Sequence, residues 1–178
     1  MVVSPEFSSV LNVELLGPAA QRVHIEANCE QRAALADRFG VTSIESLAGD
    51  FIVERIGGGA VIRVRGKISA KLTQACVVSG APITAEIEES VDERFAPDVE
   101  AADEVEFTME DEDPPEPIVD NGIDLGEVAA QYLGVAIYPY PRLPGAEIPS
   151  EYRVEGEESA DSGQNPFGVL RALKRDEE

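Results

Sequence analysis

The segment from Ile62 to Cys76 constrains this chain more than any other. Ile62, Val64, Gly66, Ile68, Ala70, Leu72 and Cys76 fall on even positions, and Arg63, Arg65, Lys67, Ser69, Lys71 and Thr73 on odd ones. A period of two places the first set on one face of a β-strand and the second on the other, so one face is buried and one is wet. A single straight strand of this length would span about 50 Å, against a usual strand of about 5–6 residues. The strand must bend, and Gly66 is the expected place. Ser79-Gly80-Ala81-Pro82 then turns the chain, and Ile83, Ala85, Ile87, Val91 and Phe95 resume the alternation on odd positions.

Other elements follow from the same reasoning. Phe51 to Ile56 reads as a strand joined by Gly57-Gly58-Gly59 to the long one, and Val10 to Leu16 and Gln21 to Glu26 read as two more, split by Gly17-Pro18. Asn28 and Gln31 have capping-box spacing ahead of Ala33, Leu35, Ala36 and Phe39, and Gly40 stops that helix. Ser43 to Leu47 reads as a short helical turn. Asp124-Leu125-Gly126-Glu127 forms a second box, followed by an apolar stripe of Leu125, Val128, Ala129, Tyr132 and Leu133. Pro139, Pro141 and Pro144 enforce an extended exit. The expected fold class is α+β: a curved antiparallel β-sheet or partly closed barrel with a few packed helices.

Charge divides the chain. Its 178 residues carry 14 Lys and Arg against 35 Asp and Glu, a formal net charge of −21. Arg55 to Ala85 has five bases and no acid, whereas Glu86 to Glu127 has 18 acids and one base. Asp98 to Asp120 holds 11 acids, no base and three prolines, and reads as a solvated, disordered insertion. Residues 1–154 are expected to form one domain containing this insertion, and residues 155–178 a linker and short helix with Phe167, Leu170 and Leu173 on its apolar side. Apolar runs are too short for a membrane span, and a basic secretory start is lacking. A cytoplasmic protein is expected.

The strongest functional lead is the basic set Arg55, Arg63, Arg65, Lys67 and Lys71. Alternate strand residues lie about 6.6 Å apart, so a row of them can follow a phosphate backbone. Four neutralised phosphates would give a log K against log salt slope of roughly −3 to −4. A solvated sheet face carries the same residues for a duller reason, to block edge pairing. The acidic block fails the spacing of a calcium loop: counted from Asp111, Pro115 and Glu116 stand where a ligand and a glycine are needed. It can instead shield the basic row or attract basic proteins. His24, the single histidine, lacks the partners of a triad or zinc site, and Cys29 and Cys76 read as buried inert thiols. The triple glycine lacks the third glycine and following helix of a phosphate loop. No cofactor or metal is expected, and no enzyme.

One resemblance rests on sequence pieces in order: Gln74-Ala75-Cys76-Val77-Val78-Ser79-Gly80, then Arg94-Phe95-Ala96-Pro97, the acidic stretch, Gly122-Ile123-Asp124-Leu125-Gly126-Glu127, and Ile137-Tyr138-Pro139-Tyr140-Pro141-Arg142. Across roughly Val23 to Gly145 the chain resembles the YceD family, the large ribosomal RNA subunit accumulation proteins of bacteria and plastids. The resemblance implies a non-enzymatic ribosome-biogenesis factor supporting accumulation of large-subunit (23S) rRNA. Its implied partner is rRNA or a large-subunit precursor; basic ribosomal proteins are the alternative. Many members carry a Cys-x-x-Cys-like pair at the strand end. Here Ser79 follows Cys76 at that spacing, so no metal role carries over.

Overall fold

The computed structural model describes residues 5–59, 61–97 and 114–148. Its strands are β1 (Val10–Asn12), β2 (Gln21–Glu26), β3 (Ser43–Ile56), β4 (Val61–Ala75), β5 (Pro82–Pro97), β6 (Glu116–Ile118) and β7 (Gly122–Asp124). Its helices are α1 (Cys29–Phe39) and α2 (Leu125–Ala136), with short 3-10 turns at Val13–Leu15 and Gly57–Gly59. Five strands form one sheet in the order β2-β3-β4-β5-β6, and β1 pairs with β7 in a separate ribbon.

The α+β class holds, with two corrections. The sheet is mixed, because β6 runs parallel to β5, with Phe95 opposite Glu116 and Pro97 opposite Ile118. It is also open, ending at β2 and β6. The expected disordered insertion is corrected at its end. Glu116–Ile118 forms β6, and Asp120 and Asn121 both take positive φ in a tight turn closed by the Gly122 N–H donating to the Val119 carbonyl at 2.9 Å. Two central residues at positive φ make the type I′ geometry that joins adjacent strands, and Asp and Asn tolerate it best after Gly. The rest of the insertion, 98–113, and the C-terminal linker and helix lie outside the described residues.

The long alternating segment is β4, and its even positions line the core. Val64, Ile68 and Leu72 are fully buried, and Ile62, Ala70, Gln74 and Cys76 nearly so. Gln74 resolves its burial by donating from Nε2 to the Tyr138 carbonyl at 2.9 Å. At Gly66 a Cβ would stand 2.1 Å from the Asp50 carbonyl oxygen and 2.9 Å from the Phe51 Cα. Only a glycine lets the adjoining strand come that close.

Ser43–Leu47 is strand, not helix. The register slips between Ile44 and Ser46, so Glu45 bulges out and the period-two pattern breaks there. The expected strand over Val10–Leu16 is also shortened: after Asn12 the chain turns into a 3-10 helix capped by the Asn12 side chain.

Both helices cover the core face of the sheet. Leu35 and Ala36 of α1 and Leu125, Val128, Ala129, Ala130 and Leu133 of α2 join the β4 and β3 residues in one cluster. The Asn28–Gln31 capping box is complete in both directions. The second box is half made. Asp124 accepts from the Gly126 and Glu127 N–H groups, but the Glu127 carboxylate turns outward to Arg38 at 2.9 Å. Both Tyr-Pro bonds in the extended exit are trans.

Candidate nucleic-acid interface on the outer sheet face

The outer face is built from the positions that do not enter the core. Opposed residues on an antiparallel pair share a face, so the register gives rows across three or four strands: Glu54–Arg63–Arg94, then Arg22–Ile52–Arg65–Asp92, then His24–Asp50–Lys67–Ser90, and Glu26–Ala48–Ser69–Glu88. Lys71 sits farther along, between Ser46 and Glu86. Arg63, Arg65, Lys67 and Lys71 therefore do project from one side of one strand, as their spacing requires.

They do not form a bare cationic row. Asp92 receives Arg63 through two hydrogen bonds, that from Nε being 2.7 Å, and this contact holds the Asp92 carboxyl below its usual value. Arg65 Nε lies 3.4 Å from Glu54, and Lys71 Nζ 3.9 Å from Glu86. Over the face, Arg22, Arg63, Arg65, Lys67, Lys71 and Arg94 are matched in number by Glu26, Asp50, Glu54, Glu86, Glu88 and Asp92. The acid-free run along the chain therefore does not leave these cations without carboxylate neighbours in space. The acids come from the flanking strands, whose register no local pattern reveals.

Arg55 leaves the set altogether. It pairs with Ile62, a core-face position, and its guanidinium donates to the Val13 carbonyl at 2.6 Å and the Leu16 carbonyl at 3.3 Å. It closes the end of the 3-10 turn, a structural duty.

What remains is a smaller feature. Arg22, His24, Asp50, Ile52, Arg65 and Lys67 line an open groove of about 820 Å³ beside the β2 edge. Lys67 and Arg22 make no ion pair among the described residues, and His24 Nδ1 meets Asp50 at 2.8 Å. Arg22 was missed at the sequence level. Its strand was read correctly, but nothing local says that β2 joins β3 on the side where Ile52 and Arg65 continue the row. The groove can hold an anion between Arg22 and Lys67 over the apolar side chain of Ile52. Among the described residues no group of three His, Cys, Asp or Glu side chains is placed to hold a metal ion.

The thiols differ from expectation. Cys29 is exposed at the start of α1, and only Cys76 is buried. The Ser79 hydroxyl first, then the Leu143 N–H at 3.4 Å from Sγ, lower the Cys76 pKa from 9.0 to about 6.

The family model described as "Large ribosomal RNA subunit accumulation protein YceD" matches residues 64–174, more than half of the chain. The chain belongs to the YceD family. The YceD match takes in β4 from Val64 onward, then β5, β6, β7 and α2, and so covers the Cys76 turn, the Asp124 cap and the acidic stretch that carried the resemblance. It starts later than the resemblance did and runs farther toward the C-terminus. Neither the curated proteins nor the solved structures gave a match to this YceD member. No described helix is long and apolar enough to cross a membrane.

Proposed function

We propose that this protein supports accumulation of large-subunit rRNA as a binding factor without catalytic activity, working in the cytoplasm on rRNA or a large-subunit assembly intermediate. The YceD match over residues 64–174 carries this reading. The groove between β2 and β4 is the surface for RNA, and Arg22 and Lys67 are its phosphate contacts, since their charges are not already spent on carboxylates. Two such contacts give a log K against log salt slope between about −1.4 and −1.8, about half that of a four-cation row. An adjacent Asp50 and a net charge of −21 keep affinity for free RNA low and favour binding to a partly assembled particle.

The test is the paired reversal Arg22→Glu and Lys67→Glu in tagged cells, with circular dichroism to verify the fold. The variant should leave the large-subunit precursor fractions of a sucrose gradient, and large-subunit rRNA should fall. Unchanged co-sedimentation of a folded variant defeats the RNA-contact reading. Hydrolysis of purified RNA, lost on changing one carboxylate, would defeat the non-enzymatic one.

A further inference from the structure

The core-side face of β5 contains an anomaly. Ile83, Ala85, Ile87, Val91 and Phe95 occupy the odd positions that face inward, yet Glu89 and Glu93 share that face, Glu89 opposite Ile68 and Glu93 opposite Val64. Two carboxylates on the apolar side of a strand are tolerated only where the covering layer leaves a gap. The gap runs beside α2. One stretch of about 500 Å³ lies between the start of α2, the β6–β7 turn and the end of β5, and a second of about 450 Å³ continues along α2 to Ala136. Glu93 and Gln131 line both, making them one groove about as long as α2, or about 18 Å.

Its chemistry is of one sign. Glu89, Glu93, Glu116, Asp120 and Glu127 line it, and no Lys or Arg does. Glu127 is partly neutralised by Arg38, and Glu93 accepts the Tyr132 hydroxyl at 2.8 Å. Phe95, Ile123 and Val128 supply an apolar floor, while Val119 at 66% and Val135 at 90% exposure stand in the open along it.

We infer that this groove docks a Lys/Arg-rich amphipathic segment of a partner protein, with its apolar side chains on the floor and its cations on the carboxylate rim. Charge complementarity selects that occupant. Nucleic acid has the wrong sign. A second copy would set one chain of −21 against another. The chain's own segment 98–113 has nine acids and no base. This surface is separate from the Arg22–Lys67 groove, and the inference stands without the RNA reading.

The test uses the purified full chain and a fluorescein-labelled synthetic peptide of about twelve residues, long enough to match α2, alternating Lys pairs with Leu. Fluorescence anisotropy reads its affinity. Glu89→Lys with Glu116→Lys should weaken binding by at least ~10-fold, whereas Glu26→Lys with Glu88→Lys, the same charge change on the outer face, should alter it less than ~2-fold. Replacing the peptide's Leu by Ser should weaken binding to the unmodified chain as well. Equal loss in both variants would show only the pull of net charge and would overturn the proposal. So would equal binding of the Ser peptide, or binding seen only after residues 165–178 are removed.

Discussion

Asp124 shows how much one side chain can organise. Its Oδ1 accepts the N–H groups of Gly126 at 3.0 Å and Ser9 at 2.7 Å, and its Oδ2 accepts the Ser8 hydroxyl at 2.7 Å. One carboxylate therefore caps α2 and fastens the N-terminal segment across it. Asp124→Ala should lower stability by about 1–2 kcal/mol in urea unfolding, and Asp124→Asn by less. The cap was legible in the sequence because it is a local motif; the Ser8 and Ser9 contacts were not, because they join residues more than a hundred positions apart. Arg55 was misread for a related reason. It shares a charge block with the β4 cations, but the register turns it toward the core face. Cys76 offers a direct check. In a Cys29→Ser background its thiolate absorbance should titrate near 6, and Ser79→Ala should move the midpoint upward. Asp92 gives the acid limb. Its folded pKa lies below its unfolded value, near 3.9, so its contribution to stability is present above that pH and fades as pH falls through the folded value. Asp92→Asn should flatten the stability profile below about pH 4.

At the scale of elements, β4 was nearly complete in the sequence because both faces of one strand are written in alternation. The odd face of β5 could be read the same way, except at Glu89 and Glu93, which interrupt its apolar series. The first half of β3 could not, because the bulge at Glu45 shifts the period midway. β6 was hidden in a block whose composition says only that it is acidic. Its turn, Asp120-Asn121-Gly122, carries a recognisable signal, but the surrounding charge outweighed it. The close packing at Gly66 yields a sharp expectation. Gly66→Ala meets the Asp50 carbonyl, which is backbone and cannot rotate away, so it should cost at least about 2 kcal/mol in chemical unfolding. Leu133→Ala, in the buried stripe of α2, should cost about 2–5 kcal/mol.

At the scale of the molecule, two opposite faces differ in kind. The outer face of the sheet balances acids against bases in number, with Arg22 and Lys67 in no ion pair among the described residues, and the groove beside α2 carries carboxylates over an apolar floor and no base. Under the two proposals above, RNA would meet the first side and a basic protein segment the second. The candidate site was half legible: which β4 side chains share a face followed from counting, but their neutralisation depended on strands placed beside them by tertiary structure.

The parallel pairing of β6 with β5 has one more consequence. Pro97 and Glu116 are anchored in neighbouring strands two register steps apart, about 8 Å from each other. A chain of almost any length can bridge so short a gap, and each doubling costs only about 0.6 kcal/mol. The site between them is thus a natural port for evolutionary or engineered payloads: a reporter domain whose own ends lie close together should fit there while the host still unfolds at an almost unaltered denaturant midpoint.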